Sequence, residues 1–309
     1  MRDNQVIHLA LSTDGRYLKH CAVTLTSVFE NNGPAALHVH LIGPDLSEGD
    51  RAVHRDIVEK RYGHAITFYS PSAKLLEKCR VKEGTWISLV TYYRIFLGSI
   101  LPPEIEKILY LDCDMIVTGD LRPLWDIDIS GVTVAAVEDM WGARPENYER
   151  LHYPAEYGYF NAGLLLMNIA RMRSTDFERR AVEYLGEHVD EFTMYDQDLL
   201  NAMLHTDKLF IAERWNVQDG FLRRRRATRM TPRALEHLDS EIANAVVVHY
   251  TGSKKPWHYK SVHPWRDLYY RYLDLTPWRG ERPHRPLSYK VKLAADATLR
   301  ALRIMKPNI

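Results

Sequence analysis

A chain of 309 residues that is 46% hydrophobic and 26% charged has the composition of a folded protein; disorder needs lower hydrophobicity or a large charge imbalance. With 41 Lys and Arg against 40 Asp and Glu, the net charge of +1 argues against a protein that coats nucleic acid. The length fits one large α/β domain or two modest ones. The amino terminus lacks the basic start and apolar run of a signal peptide, and no window approaches the roughly 20 apolar residues of a spanning helix. Cys21, Cys79 and Cys113 are odd in number, far apart and without CxxC spacing, which fits a reducing compartment. A cytoplasmic protein is expected.

Val6 to Leu11 is a short apolar run that stops at Ser12-Thr13-Asp14-Gly15, after which Cys21, Leu25 and Val28 recur at helical spacing. Leu37 to Ile42 reads as the next strand, Ser47 to Asp50 as a capping-box-like helix start, and the helix carrying Val53 and Ile57 ends near Gly63. Ala65 to Tyr69 reads as a third strand, Ser88 to Leu97 as helical, and Lys107 to Val117 contains a strand. Further strands are expected at Val132 to Val137, Gly163 to Asn168 and Ala245 to His249. This alternation indicates βαβ units and a largely parallel sheet, with ligands at the carboxyl ends of its strands. No Gly-x-Gly-x-x-Gly and no Gly-Lys-Ser/Thr loop is present, so neither a standard dinucleotide site nor a P-loop is supported.

Four segments could carry chemistry. In Ile108-Leu109-Tyr110-Leu111-Asp112-Cys113-Asp114-Met115-Ile116-Val117, two carboxylates sit inside an apolar run, which is costly unless a cation receives them. Residues i and i+2 of an extended chain share one side, so Asp112 and Asp114 can converge on one ion; the bland alternative is two solvated loop acids. In Val246 to Trp257 a strand delivers His249, then a Gly-containing turn offers backbone amides, Lys254 and Lys255 to a diphosphate, unless the turn is simply solvated. A histidine added to two carboxylates favours Mn²⁺ over ions that prefer oxygen alone, whereas a lone His at a strand end is more often structural. Asn161, at a strand mouth before Ala162 and Gly163, suits a sugar hydroxyl or merely a turn. Asp196-Gln197-Asp198 opens a helix, where Asp196 could be an N-cap and Asp198 a first-turn charge.

In this order and at these separations, Leu111-Asp112-Cys113-Asp114, Phe160-Asn161-Ala162-Gly163, Asp196-Gln197-Asp198 and His249 to Trp257 resemble glycosyltransferase family 8, the retaining UDP-hexose transferases. The likeness is nearest to the bacterial lipooligosaccharide and lipopolysaccharide α-galactosyltransferases and runs from about Val6 to Trp257. It implies a GT-A-type α/β fold, with a mixed, largely parallel sheet flanked by helices. It implies Asp112, Asp114 and His249 as ligands of Mn²⁺ or Mg²⁺, with Gly252 and Lys255 touching the phosphates of a UDP-galactose or UDP-glucose donor. Asp14 is implied on uracil and Tyr17 against the base, although Arg16 stands where the family has Asn. Arg94 approaches the donor sugar, Asn161, Ala162, Asp196 and Gln197 form the sugar pocket, and Asp139 faces the acceptor. Gln197 is the residue implied nearest the face opposite the leaving group. An amide is a poor nucleophile, so front-face attack by the acceptor hydroxyl is expected, with Asp196 as the fallback nucleophile.

The near-neutral total conceals an asymmetry. Residues 281–309 hold seven Lys or Arg and two acids, whereas residues 1–280 hold 34 bases and 38 acids. A catalytic domain over 1–280 and a basic tail over 281–309 are therefore expected. In the tail, Val291, Ala295, Leu299, Leu302 and Met305 fall on one side of a helical wheel, with Lys292, Asp296, Arg300 and Arg303 on the other. Such a helix suits an anionic membrane surface carrying a glycolipid acceptor, or docks on protein. Arg223 to Arg226 and Arg229 form a second basic cluster, read as a solvated loop or as a flap over acceptor phosphates. Two rival functions remain at this stage: a metal-dependent nucleotidyltransferase, which leaves the His249 and Asn161 segments unexplained, and a non-catalytic saccharide-binding protein.

Overall fold

The structure, a computed structural model, describes residues 6–44, 46–82, 87–223, 229–284 and 286–289. The expected helix over 291–305 and Arg224 to Arg226 lie outside these residues. Three strands open the chain, β1 (Ile7–Ser12), β2 (Leu37–Ile42) and β3 (Ala65–Tyr69), paired in parallel. The helix Leu18–Asn31 joins the first two and turns Cys21, Leu25 and Val28 wholly inward. The next crossover starts at Ser47, whose hydroxyl and the Asp50 carboxylate cap each other's backbone N–H groups. Its α-helix, Glu48–Arg55, widens to a π-turn over Asp56–Arg61 and stops at Gly63, where φ is +70° and only glycine is unstrained.

The middle of the chain supplies β4 (Lys107–Leu111), β5 (Met115–Val117), β6 (Val134–Glu138) and β7 (Phe160–Asn168), and the last part β8 (Lys208–Phe210), β9 (Val217–Gln218) and β10 (Val247–His249). Seven strands form the main sheet in the order β3-β2-β1-β4-β7-β6-β8, with β7 antiparallel to both neighbours and the other pairs parallel. Its central strands are buried on both faces: Leu9, Leu109, Leu111 and Leu166 join one core, Ala10, Ile108, Tyr110 and Leu165 the other. That is why they read as unbroken apolar runs. A smaller sheet, β5-β10-β9, packs through Ile116, Val248 and Tyr250 against the helix Arg266–Leu273.

Two features of this layout position a site. The chain leaves β1 in one direction across the sheet and reaches β4 on its other side, so β1 and β4 flank a switch point where a crevice opens at their carboxyl ends. The segment Asp112-Cys113-Asp114 is also not part of one strand, as its apolar context had indicated: it is a turn at which the chain steps from the large sheet into the small one. The two apolar halves are buried in different sheets, and the carboxylates occupy the corner between them. Other departures are local. Leu89–Phe96 is a 3₁₀ helix, β7 begins early enough to include Asn161 and Ala162, and β8 and β9 were not anticipated. Among the described residues no helix is long and apolar enough to cross a membrane.

Candidate active site

At the switch point lies a cleft lined by Asp14, Tyr17, Arg94, Asp112, Asp114, Asp139, Asn161, Ala162, Asp196, Gln197, His249 and Lys255. Of the residues singled out in those four segments and the base loop, Gly252, Lys254 and Asp198 are not in its wall. A Cβ at Gly252 would collide with the Asp219 carboxylate, so this glycine permits a close approach behind the loop. Thr251 and Lys255 are the members of that loop that reach the cleft.

The floor is a chain of amides whose orientations can be read from fixed backbone donors. The Gly163 N–H donates to Asn161 Oδ1 at 3.0 Å, so the other end of that amide is the donor, and Asn161 Nδ2 bonds Asp139 Oδ2 at 2.9 Å. Asn216 Nδ2 also donates to Asn161 Oδ1, at 2.9 Å, which turns Asn216 Oδ1 toward His249 Nδ1 at 3.0 Å. His249 therefore carries a proton on Nδ1, and Nε2 is the ring nitrogen turned toward the carboxylates, where its lone pair can serve a metal ion. Asn216 is fully buried, and sequence reasoning missed it. It follows a 3₁₀ turn in Arg214-Trp215-Asn216-Val217, where nothing but a lone Asn before an apolar residue marked it.

Gly163 has a second duty. A Cβ at this position would fall inside the His249 ring and against Met115, so only glycine lets β10 deliver the histidine flat against β7. Gln197 is fixed in the same manner as Asn161. Its Oε1 accepts from the Ala162 N–H at 3.0 Å, and its Nε2 donates to Asp139 Oδ2 at 3.2 Å and to the Tyr159 hydroxyl at 3.1 Å. Tyr159 in turn donates to Asp198, which is fully buried against Arg150 and the N–H groups of Thr193 and Met194. Asp198 thus anchors the helix Asp196–Leu204 from within.

The opposite corner is different. His249 Nε2 lies 3.2 Å from Asp114 Oδ1 and 3.9 Å from Asp112 Oδ2, and the three groups offer ligand atoms within 4.8 Å of one another. Yet Asp114 Oδ1 is buried with no hydrogen-bond partner among the described residues. A carboxylate oxygen this close to an imidazole nitrogen needs positive charge between them, as a proton on Nε2 or as a metal ion that replaces it. Two carboxylates and one imidazole fit a first-row divalent ion such as Mn²⁺. Cationic side chains brace the corner from both sides. Lys255, itself buried, bonds Asp114 Oδ2 at 2.5 Å and the Tyr250 carbonyl at 2.6 Å. Arg94 donates to Asp112 Oδ1 at 2.7 Å, pairs through Nε with Asp196 at 3.1 Å, and bonds the Ala162 carbonyl. Burial raises the Asp112 carboxyl above the usual range, with Arg94 opposing. It also pushes Asp114 up, but Lys255 and His249 together more than offset this and leave it well below.

On the third wall, Asp14 is clasped by Arg16, with Nη2 to Oδ2 at 2.9 Å, and receives the Ser88 hydroxyl at 2.8 Å. Burial raises its carboxyl, yet these hydrogen bonds bring it below the usual value. The residue that departs from the expected pattern therefore occupies the very carboxylate expected to meet the base. Tyr17 presents its edge to Trp257, which stacks on His20 at 3.6 Å between ring centroids. Across the mouth, Trp141 is held by its N–H to Asp139 Oδ1 at 2.8 Å. The guanidiniums of Arg144 and Arg229 lie over its ring at 3.7 and 4.1 Å. Among the described residues neither guanidinium has a carboxylate partner.

Comparison with known proteins agrees with this geometry. The chain is 28% identical to general stress protein A of Bacillus subtilis, over 90% of this chain and 96% of that protein. It is 26% identical to the lipopolysaccharide 1,3-galactosyltransferase of Salmonella typhimurium (89% and 80%) and 25% identical to the lipopolysaccharide 1,2-glucosyltransferase of Escherichia coli (91% and 81%). The crystal structure of galactosyltransferase LgtC with donor and acceptor sugar analogues superposes with a TM-score of 0.77 over 93% of this chain and all of that one, at 23% identity, a likeness of fold. Residues 8–261 match glycosyl transferase family 8, and the chain belongs to that family.

Proposed function

We propose that this chain is a retaining, metal-dependent hexosyltransferase that moves galactose or glucose from a UDP-sugar to a saccharide acceptor. The observation that carries the proposal is the corner of Asp112, Asp114 and His249, where three metal-ligating groups converge and a buried carboxylate oxygen without a hydrogen-bond partner lies 3.2 Å from the imidazole Nε2. A divalent cation held by these three residues supplies Lewis-acid stabilisation of the diphosphate leaving group. The chain's own residues do the rest. Lys255, buried beside Asp114, adds positive charge where the phosphates depart, and Tyr17 and Asp14 form the base end of the cleft. Arg94 is held rigidly between Asp112 and Asp196 beside the sugar pocket of Asn161, Ala162 and Gln197.

Retention favours front-face attack. Both ends of the Gln197 amide are engaged, and the Asp196 carboxylate is ion-paired to Arg94, so neither is free to form a glycosyl-enzyme bond without first breaking these contacts. The acceptor hydroxyl then approaches from the leaving-group side and passes its proton to the departing phosphate oxygen. Asp139, whose carboxyl is raised by burial, lies on the acceptor side. Trp141 offers a face for sugar stacking, and Arg144 and Arg229 suit an acceptor carrying an anionic group. The relatives' names make lipopolysaccharide or lipooligosaccharide the first acceptor to try. Residues 1–280 are the catalytic unit in this proposal and 281–309 a basic tail for the inner face of the cytoplasmic membrane. The start of that tail leans on the body through Lys19–Glu281 and Arg282–Asp274.

The test is UDP release from a panel of nucleotide sugars and acceptors, with Mn²⁺ or EDTA. Metal-independent turnover, or an inverted anomeric centre in the product by NMR, overturns the proposal. Trapping of a glycosylated Asp196 by mass spectrometry removes the front-face step alone. Equal recovery on anionic vesicles of the full chain and a chain ending at residue 280 removes the membrane role.

A further inference from the structure

Outside the cleft the described residues hold two further convergences of metal-ligating side chains, an exposed one of His152, His188 and Glu191 and a more buried one at the other end of the cleft strands. In the parallel register of β1 and β2, His8 stands opposite His38 and Ala10 opposite His40. Side chains two apart on a strand share a face, so all three imidazoles project to one side of the sheet, and Ala10 leaves the space that His40 leans into. His8 is four residues before Ser12 at the cleft, about 13 Å along an extended strand.

The three rings are close enough to share an ion. Their centroids are 4.4 to 5.5 Å apart, and His8 Nδ1 is 3.0 Å from His40 Nε2. Two nitrogens on a tetrahedral zinc, each about 2.1 Å from the metal, are separated by about 3.4 Å. The pair is thus within a few tenths of an ångström of the required spacing, and one nitrogen or more of each ring lies within 4.8 Å of the others. The rings are also oriented from behind. His40 Nδ1 meets the Tyr69 hydroxyl at 2.9 Å and His38 Nε2 meets the Thr67 hydroxyl at 2.8 Å, both from β3. A second hydrogen bond of this kind fixes ring orientation and leaves the opposite nitrogen to the metal. His8 and His38 are only partly buried, so an ion can enter from solvent.

We propose that His8, His38 and His40 form a second metal site, for an imidazole-preferring divalent cation of the Zn²⁺, Ni²⁺ or Cu²⁺ class. The donor set distinguishes it from the cleft: three nitrogens and no carboxylate disfavour Mn²⁺ and Mg²⁺, which prefer oxygen. On binding, the proton between His8 Nδ1 and His40 Nε2 moves to His8 Nε2 on the solvent side, so the neutral trio takes up the ion without net proton release. A fourth position stays open to water. The ion would tie β1 to β2 at the end remote from the cleft, a structural role independent of sugar transfer.

The test uses the full chain carrying Asp112→Asn and Asp114→Asn to silence the cleft, stripped with chelator and titrated with Zn²⁺ by calorimetry and with Cu²⁺ by electron paramagnetic resonance. One equivalent of Zn²⁺ bound, weakened about 100-fold or more by His38→Gln, and a Cu²⁺ spectrum with hyperfine coupling to three nitrogens, is the expected result. Thr67→Val, which keeps all three imidazoles, should weaken binding about tenfold. No Zn²⁺ bound in the silenced chain, or unchanged affinity in both His8→Gln and His38→Gln, overturns the proposal. If the histidine variants fail to fold, the nitrogen count in the Cu²⁺ spectrum of the silenced chain decides alone.

Discussion

The two halves of the cleft are built from similar polar residues and reach opposite states. On the sugar side, Asn161, Gln197, Asp139 and Asn216 form a connected circuit in which backbone N–H groups fix the Asn161 and Gln197 amides and Asn161 in turn fixes Asn216. On the side of the proposed metal, a few ångströms away, Asp114 Oδ1 is buried without a hydrogen-bond partner and faces His249 Nε2 at 3.2 Å. A satisfied network is rigid because any rearrangement leaves a buried group unpaired, at about 1–3 kcal/mol each. An unsatisfied corner stores a demand that only a cation meets. His249 belongs to both, since its Nδ1 closes the circuit and its Nε2 opens the corner. The rigid half thereby dictates what the open half presents.

The largest expected effect comes from removing the demand itself. Asp112→Asn keeps the shape of the corner but takes away one of the two anionic ligands, and Arg94 loses a partner while Asp196 remains. UDP release should fall by about 10³-fold or more at saturating Mn²⁺, with an unchanged circular dichroism spectrum. Activity within tenfold of the parent would mean that the corner does not hold the functional ion.

Gly163→Ala strikes where the halves touch. The added methyl must displace the His249 ring or Met115, so both the circuit and the corner shift. A loss of about 10²-fold in turnover and about 1–3 kcal/mol in stability by urea denaturation is expected. Asn216→Ala separates the halves more cleanly, because it leaves the three proposed metal ligands in place and removes the acceptor of the His249 Nδ1 proton, while Asn161 Oδ1 loses one donor but keeps the Gly163 N–H. Mn²⁺ affinity should drop about 10- to 100-fold, while turnover at saturating Mn²⁺ stays close to the parent. An equal loss of turnover at all Mn²⁺ concentrations would show that the circuit acts on the sugar and not on the metal.

Arg144→Ala with Arg229→Ala lies outside both halves and sharpens the comparison as a control. It should raise KM about tenfold for an acceptor bearing phosphate, leaving donor hydrolysis and Mn²⁺ dependence unaltered. The same change for an uncharged acceptor would refute an anion-binding role for the pair.

Which parts of this were legible in the sequence follows from how locally each is encoded. Strands β1 and β2 matched their apolar runs because each is largely buried and bounded by polar turns, and the half-buried β3 matched through its β-branched and aromatic residues. Asp112 and Asp114, the carboxylates proposed to hold the metal, stood out because carboxylates inside an apolar run are costly and therefore informative. That run was nevertheless misread as one strand, since burial in two sheets and burial in one give the same pattern. Strands β8 and β9 have three and two residues, too few for any periodicity. Asn216 was invisible for a different reason: its role exists only where segments 55 and 33 residues away meet it. The family resemblance supplied the expected ligands and pocket residues, but not the circuit that holds them, nor the clasp of Arg16 on Asp14.

The smallest effect concerns a third kind of group, one that is satisfied only while neutral. His20 is buried, stacked on Trp257 and hydrogen-bonded to the Tyr269 hydroxyl at 2.7 Å. Burial, with Lys19 adding to it, lowers its pKa from 6.5 to about 3. Between these values the unfolded chain takes up a proton that the folded chain refuses, so the unfolded state gains stability as pH falls. The contribution of His20 is therefore complete above pH 6.5, is lost steadily below it, and changes no further below about pH 3. The slope from this one group is at most about 1.4 kcal/mol per pH unit. Urea denaturation of the parent and of His20→Gln between pH 4 and 7 should show a shallower pH dependence in the variant, whatever its stability at pH 7. Parallel curves would mean that His20 takes up its proton in the folded state too. The base-side wall would then tolerate charge as readily as the metal corner does, and the neutral stack of His20 on Trp257 would not be what sets its acid limit.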